Sequence, residues 1–149
     1  VGIAWEQGVT VLTPMEAAML AGFDGADVIC HDYKTTAHAL DELGLKVNCG
    51  FDTALAAYVL NPSQSDYPVS KLATNFLGAT VEDGDAAGCA ESLWQLKPVL
   101  EKELQDQNML SLYRDIELPL AGVLYAMEKR GVAIDKELLR RDSFQGKNI

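Results

Sequence analysis

Residues 51–62 have the sequence FDTALAAYVLNP, and this stretch decides the fold that we expect. Asp52 stands where a helix N-cap belongs, because a short acidic side chain there can accept the free N–H groups of the first turn. Asn61 and Pro62 end the helix, since proline cannot continue it. Residues 45–49 alternate in polarity and predict a strand just before the helix. The inner face of the helix is expected to carry Leu55, Ala56, Val59 and Leu60.

A similar strand and helix are expected upstream. Residues 26–30 form a short apolar run that is typical of a buried strand, and Asp32 can cap a helix that extends to Leu43. Gly44 follows at the position where a left-handed residue ends a helix. Residues 1–11 alternate around a turn at residues 6–8 and predict a hairpin, and Pro14 begins a short helix that ends near Gly22.

Helices dominate the second half of the chain. Apolar residues spaced by three and four predict a third helix that Gly78 ends, and an acidic turn follows at residues 80–84. A long helix is expected over residues 86–107, which Pro98 bends or divides. Strands followed by strand–helix units and late helices predict an α/β fold, with a mixed sheet flanked by helices.

Residues 110–149 differ from the rest in pattern and in charge. Five apolar side chains spaced by three and four share one helical stripe: Tyr113, Ile116, Leu120, Val123 and Met127. Pro119 lies inside this stripe, so it kinks the helix or begins a new one. Residues 1–109 carry a net charge of −11 and residues 110–149 one of +1, which favours a boundary near residue 109.

Composition excludes several classes of protein. The 149 residues are 48% apolar with a net charge of −10, and no run of about 18 apolar residues could span a membrane. The acidic first part should repel phosphate backbones and bind nucleic acid weakly. Cys30, Cys49 and Cys89 form no CxxC pair, so we expect reduced, mostly buried thiols rather than a disulfide framework or a zinc site.

The strongest enzymatic hypothesis for such a domain is metal-dependent phosphodiester hydrolysis, which needs several converging carboxylates. The candidates are Asp32, Asp52, Glu91 and the cluster Glu82-Asp83-Asp85. Helix capping accounts for the first two, and exposure to solvent accounts for the others. Ser63, Ser65 and Ser70 have no GxSxG context, and His31 and His38, seven residues apart, are expected to share a helix face. We therefore predict no catalytic, cofactor-binding or metal-binding residue.

Two long motifs carry a resemblance to a known family. Residues 51–62 closely resemble the FDTxLxxYxLNP stretch of the bacterial DNA polymerase I family (family A), which lies in the 3′–5′ exonuclease domain. Residues 116–120, continued by Met127-Glu128 and residues 131–135, resemble the IExPL…ME…GVxID passage that opens the polymerase domain. The resemblance implies a ribonuclease H-like exonuclease fold over residues 1–109, here lacking its first strand, and the beginning of a truncated polymerase domain over residues 110–149.

The resemblance also implies that the nuclease is lost. Active relatives place Asp-x-Glu on a strand upstream of Val1, Asn-x-x-x-Asp where this chain has Asp32 and Thr36, and Tyr-x-x-x-Asp where it has Ala87 and Glu91. A threonine hydroxyl is neutral and cannot replace an anionic metal ligand. Two alternatives stay open: an active DEDD-type exonuclease that uses Asp32 and Glu91 as substitute ligands, and an unrelated α/β interaction domain.

The resemblance further implies the partners. The parent would be a cytoplasmic DNA-directed DNA polymerase of replication and repair that binds DNA and uses Mg²⁺, with its polymerase carboxylates beyond Ile149. We expect this piece to have no cofactor and little or no DNA affinity, and to contact the rest of the polymerase domain in cis. Without that contact the stripe at residues 113–127 must fold back or stay open, and we expect a truncation-driven dimer.

Overall fold

The computed structural model describes residues 1–19 and 27–131. Strands β1 (Gly2–Trp5) and β2 (Gly8–Val11) form an antiparallel pair in which Ile3 lies opposite Thr10, and this confirms the predicted hairpin. Helix α1 (Pro14–Ala18) follows, and Thr13 and Glu16 close its N-terminus as a capping box. The predicted end of this first helix near Gly22 falls outside the described residues.

The second sheet consists of β3 (Asp27–Cys30) and β4 (Asn48–Asp52), which are parallel and are connected through α2 (Tyr33–Glu42). The fourth strand begins three residues later than the predicted segment 45–49. Gly44, with a φ of 76°, reverses the chain as expected, but the N–H of Leu45 still donates to the carbonyl of Leu40 at 2.9 Å. Leu45 therefore belongs to the end of α2, and the extended segment starts only at Asn48.

The helices after β4 follow the predicted pattern closely. Helix α3 (Thr53–Leu60) ends before Asn61, and α4 (Val69–Leu72) continues as a π-helical turn, Ala73–Leu77, which Gly78 ends with a φ of 64°. Helix α5 (Ala86–Asp106) runs through Pro98 without interruption, so Pro98 does not divide it.

The C-terminal described segment is a broken helix. Helix α6 (Leu110–Leu112) continues as a π-helical turn, Tyr113–Glu117, and then as α7 (Leu118–Arg130). Pro119 lies in the first turn of α7, which confirms that it begins a new helix. Residues 132–149, which include most of the segment that resembles GVxID, lie outside the described residues.

The four described strands form two separate two-stranded sheets rather than one mixed sheet. Helix α5 packs against β1, β2 and β3 and thereby connects the two sheets. It packs closely on Gly2, where a Cβ atom would overlap the carbonyl oxygen of Ala86. The structure therefore confirms the predicted α/β class and the packing of late helices on strands, but the described residues do not form the predicted single mixed sheet.

We call residues 110–130, from α6 to α7, the tail. The hydrophobic core lies between α5, α3 and the beginning of the tail. Leu96, Leu100 and Leu104 are spaced by four on α5 and are fully buried, and each contributes roughly 1.5–3 kcal/mol. The other buried members of this core are Phe51, Ala56, Ala57, Val59, Leu72 and Tyr113. Among the helices of residues 1–19 and 27–131, none is long and apolar enough to cross a membrane.

Candidate functional site

The carboxyl ends of β3 and β4 are the natural place to look for a site. Because the two strands are parallel, both end at the same edge of their sheet, and a helix begins after each of them. His31 and Asp32 connect β3 to α2, whereas Asp52 connects β4 directly to α3. This edge therefore brings together two of the predicted candidate carboxylates and one of the two histidines.

Asp52 is buried and fully occupied by backbone groups. Its Oδ1 accepts the N–H groups of Ala54 at 3.0 Å and Leu55 at 3.2 Å, which confirms the predicted N-cap of α3. The same carboxylate also accepts the N–H of Asp32 at 3.0 Å and that of Tyr33 at 2.8 Å. With the residue 3% exposed and four donors bound, Asp52 holds the beginnings of two helices together.

The predicted capping role of Asp32 is wrong. Asp32 occupies the N-cap position of α2, but its φ of 62° is left-handed and its side chain makes no capping hydrogen bond. Its exposed carboxylate instead accepts from the hydroxyl of Thr35 at 3.0 Å. The physical reason is that Asp52, from the neighbouring strand, already takes the N–H groups at the beginning of α2.

Tyr113 completes this arrangement, and the sequence analysis missed its role. Its hydroxyl accepts the backbone N–H of Asp52 at 2.7 Å and donates to the backbone carbonyl of the same residue at 3.1 Å. Its ring packs on Phe51 with centroids 5.1 Å apart, and burial raises the pKa of its hydroxyl. We call the Asp52 carboxylate, its four N–H donors and the Tyr113 hydroxyl the Asp52 junction. A tyrosine within an apolar stripe was the available indication, since a buried hydroxyl needs a partner.

The two histidines do not share a helix face, because α2 begins only at Tyr33 and His31 precedes it. The Nδ1 of His31 lies 2.8 Å from Oγ1 of Thr53, which itself donates to the carbonyl of Cys30 at 3.2 Å. Burial lowers the pKa of His31, although the charge of Asp52 opposes this. His31 thus connects β3 to α3, and its role is structural.

His38 lies on the outside of α2, facing the tail. Its Nε2 is 2.9 Å from the carboxylate of Glu128, and its ring contacts Tyr125 with centroids 4.8 Å apart. Lys34 donates to the same carboxylate at 3.2 Å, and Lys129 pairs with Asp41 at 2.8 Å. The tail helix therefore folds back on α2 through an edge-on contact between aromatic rings and through exposed ion pairs.

The residues at the three remaining motif positions, Thr36, Ala87 and Glu91, do not come together in a metal-binding arrangement. The hydroxyl of Thr36 donates to the carbonyl of His31 at 3.3 Å. Ala87 is half-buried in the first turn of α5, and Glu91 is exposed and accepts from the side-chain amide of Gln95 at 3.5 Å. In residues 1–19 and 27–131 no group of three or more His, Cys, Asp or Glu side chains could hold a metal ion.

The acidic turn is not only a group of solvated charges, because one of its carboxylates makes specific hydrogen bonds. Asp83 is exposed, as expected, but it accepts the N–H of Ser70 at 3.0 Å and its hydroxyl at 2.8 Å. These bonds to Ser70 hold the pKa of Asp83 below its usual range. Ser63 likewise donates its hydroxyl to the side chain of Asn61 at 2.6 Å. Neither serine is paired with a base in a nucleophilic arrangement.

An open cleft of about 160 Å³ lies beside the Asp52 junction, between the beginnings of α2 and α3 and the tail. Its tail side consists of Glu117, Leu120, Ala121 and Leu124. Two of these cleft residues, Leu120 and Leu124, also belong to an apolar surface of the tail that is exposed. We call this surface the outer face of the tail helix, and it consists of Ile116, Leu120, Val123, Leu124 and Met127, which are between 39% and 57% exposed.

Comparison with known proteins gives the chain its relatives. It is 30% identical over 131 residues to DNA polymerase I of Bacillus subtilis (strain 168) and 38% identical over 104 residues to the thermostable DNA polymerase I of Thermus aquaticus. These matches cover 74% and 68% of this chain. Its homologues are bacterial DNA polymerases I. The chain spans 15% and 12% of the length of these two relatives, and no protein-family model matches it.

A solved structure extends the similarity to DNA polymerase I beyond sequence. The POL domain of Pol1 from M. smegmatis, determined in complex with DNA primer-template and dNTP, matches 74% of this chain with a TM-score of 0.65 and 32% identity. The chain covers 20% of that structure. The agreement in backbone and in sequence supports the arrangement of strands and helices described above.

Proposed function

We propose that this chain is a segment of a bacterial DNA polymerase I, a DNA-directed DNA polymerase of replication and repair in the cytoplasm. In this proposal residues 1–109 are an exonuclease-like domain that keeps its fold without nuclease activity, and residues 110–149 begin the polymerase domain. The observation that carries the loss of activity is Thr36, whose neutral hydroxyl donates to the carbonyl of His31 where active relatives have a carboxylate.

The pairing of the strands supports a ribonuclease H-like fold for the first domain. Within the described residues, β1 pairs with β2 alone and β3 with β4 alone, so each pair keeps an edge without a strand partner. Both pairs pack against α5. One further strand between β1 and β3 would join them into a single mixed sheet, and the resemblance implies one further exonuclease strand.

The use of the carboxylates supports an inactive nuclease. A two-ion reaction needs several carboxylates with free oxygens, but Asp52 is occupied by four N–H groups and Asp83 by Ser70. The alternative nuclease would need Asp32 and Glu91 on a common ion, and neither belongs to a metal-holding group in the described residues.

We assign the remaining function of the domain to support of the polymerase. The contacts of α2 with Tyr125, Glu128 and Lys129 attach the tail to the body of the domain, and the tail leads into the proposed polymerase domain. DNA and Mg²⁺ would be bound by the rest of the parent enzyme. A net charge of −11 on residues 1–109 opposes strong binding of DNA to this piece.

A nuclease assay on the whole 149-residue chain tests the proposal. We expect no Mn²⁺-dependent shortening of labelled single-stranded DNA, and calorimetry should show no stoichiometric metal binding below about 1 mM. Cleavage that is lost in both Asp32→Asn and Glu91→Gln would establish the alternative nuclease and overturn the proposal. Gln95→Glu serves as a matched control on the same helix.

A binding assay tests the assignment of DNA to the rest of the parent. Fluorescence anisotropy with a labelled primer–template should show no saturation below about 1 μM protein at physiological salt, because the acidic surface repels phosphates. Submicromolar binding would contradict this assignment and would direct attention to the basic side chains at Arg130, Arg140 and Arg141.

A further inference from the structure

Two of the three cysteines meet on neighbouring strands. The sulfur of Cys30 on β3 lies 3.3 Å from the sulfur of Cys49 on β4, and all three thiols are free. A disulfide requires about 2.05 Å between sulfurs, so a closure of little more than 1 Å would form the bond. We propose that Cys30 and Cys49 are a redox-active dithiol that a peroxide oxidises to an intramolecular disulfide.

The backbone between the two cysteines offers a place to absorb this movement. The pairing of β3 with β4 is irregular between Val28 and Ile29: Cys49 lies opposite Val28 and Phe51 opposite Ile29. Gly50 is the extra residue, so the strand has a bulge next to Cys49. The bulge interrupts the regular ladder directly beside Cys49, and this is where we expect the closure to be accommodated.

The two thiols differ in access, which sets the order of the reaction. Cys30 is 3% exposed, whereas Cys49 is half-buried and lines a shallow cleft of about 240 Å³ between α2 and α7. The contact with Cys49 and burial raise the pKa of the Cys30 thiol. Peroxide therefore reaches Cys49 first, and Cys30 resolves the product.

The chemistry balances in two steps. The Cys49 thiolate attacks one oxygen of hydrogen peroxide, the O–O bond breaks, and the other oxygen leaves as hydroxide and becomes water; Cys49 is now a sulfenic acid. The sulfur of Cys30 then attacks the sulfur of Cys49, the S–O bond breaks, and the leaving hydroxide takes the proton of Cys30. Two thiols and one peroxide give one disulfide and two waters.

Cys89 provides an internal control. It lies at the beginning of α5 near the carbonyls of Glu82 and Asp83, and burial raises the pKa of its thiol. Trypsin separates the three cysteines into peptides that end at Lys34, Lys71 and Lys102, since the bond between Lys97 and Pro98 resists cleavage. A peptide pair joined through Cys30 and Cys49 is therefore distinguishable from every other pairing.

The experiment treats the reduced whole chain with hydrogen peroxide, blocks the remaining thiols with iodoacetamide and measures intact and peptide masses. We expect a loss of about 2 Da before blocking, one blocked thiol, a cross-linked pair and reversal by dithiothreitol. Three blockable thiols after treatment, or a disulfide that includes Cys89 or a second chain, would overturn the proposal.

Serine variants then test the order of the two steps. Cys89→Ser should still lose about 2 Da, whereas Cys49→Ser should not. Cys30→Ser should retain Cys49 as a sulfenic acid that dimedone traps with a mass gain at the peptide ending at Lys71. The wild-type masses decide the proposal even if a variant fails to fold. The proposed order would be refuted if dimedone labelled Cys30 in the Cys49→Ser chain but did not label Cys49 in the Cys30→Ser chain.

Discussion

The Asp52 junction includes Tyr113, which lies only three residues before the outer face of the tail helix begins at Ile116. The two regions are nevertheless held in opposite ways. Tyr113 is fully buried and its hydroxyl meets both backbone groups of Asp52, whereas Ile116, three residues later, is 57% exposed. The remainder of the tail is attached to α2 by surface ion pairs and by the edge-on ring contacts of one tyrosine. The beginning of the tail is thus part of the core, and its end is fixed by weaker contacts that further protein can reinforce or replace.

The largest expected effect comes from Asp52→Ala. The change removes the acceptor of four N–H groups from a buried position, and two helices lose their caps. We expect the free energy of unfolding in urea to fall by about 3 kcal/mol. Asp32→Asn is the matched control, because that carboxylate is exposed and bound by Thr35, and it should change stability by less than about 0.5 kcal/mol. Equal losses in the two variants would contradict the description of the junction.

Tyr113→Phe should have the next largest effect. It keeps the ring on Phe51 but removes the hydroxyl that pairs with the buried backbone of Asp52, at a cost of about 1–3 kcal/mol. Tyr125→Phe, on the exposed ion-paired side, should cost less than about 0.5 kcal/mol. Urea unfolding of both variants makes the comparison, and a greater loss from Tyr125→Phe would reverse the contrast between the two regions.

Substitution on the outer face should alter association more than stability. Leu120 and Val123 are 45% and 54% exposed, so replacing both with Glu should change the free energy of unfolding by less than about 1 kcal/mol. Sedimentation should show that the wild-type chain self-associates at high concentration and that this variant is a monomer. The charge-matched pair Gln105→Glu and Gln107→Glu should still associate. A wild-type chain that is monomeric up to its solubility limit would show that the outer face needs no cover.

Acid should have the smallest effect of these changes, and part of it falls on the contact between α2 and α7. Hydrogen bonds from His38 and Lys34 hold the pKa of Glu128 below its ordinary 4.5, and Lys129 does the same for Asp41. Because the folded pKa is the lower one, this stabilisation is present above pH 4.5 and is lost as the pH falls through the folded value.

Hydrogen exchange in α7, measured through this pH range, checks the effect of acid. The protection factors of the α7 amides, which remove the intrinsic pH dependence of exchange, should fall on acidification. Glu128→Gln should already show lower protection factors at neutral pH, and these should respond less to acid. Glu103→Gln, on α5, should behave like the wild type. Exchange in α7 that is insensitive to Glu128→Gln would show that the ion pairs do not hold the tail.

Sequence patterns predicted the elements whose causes are local. The cap of Asp52 on α3, the left-handed Gly44 and Gly78 and the new helix at Pro119 all depend on residues within a few positions of each other. These effects are visible in the printed order of residues, so the hairpin and most helix limits could be derived without a structure. The resemblance found the relatives, because two long motifs in the correct order are specific.

The features that were missed depend on distant residues. Asp52 reaches the beginning of α2 across 20 residues, and the Tyr113 hydroxyl reaches Asp52 across 61. A cap supplied by a neighbouring strand cannot be distinguished in sequence from a cap supplied by the adjacent residue, so Asp32 received a role that belongs to Asp52. The late start of β4 was missed for a similar reason. Only the hydrogen bond from the N–H of Leu45 to the carbonyl of Leu40 shows where the hydrogen bonding of α2 ends.

The contact of Gly2 with Ala86 limits which sequences the hairpin can tolerate. Most hairpin side chains are at least partly exposed. Trp5, Val9 and Val11 can therefore be replaced by residues of similar character with little loss of stability. Gly2 cannot be replaced in this way, because any added carbon would overlap a backbone oxygen of α5, which no side-chain rearrangement relieves. A saturation mutagenesis scan should therefore show one intolerant position inside an otherwise permissive segment, and diverged versions of this chain should retain that glycine long after the rest of the hairpin has changed.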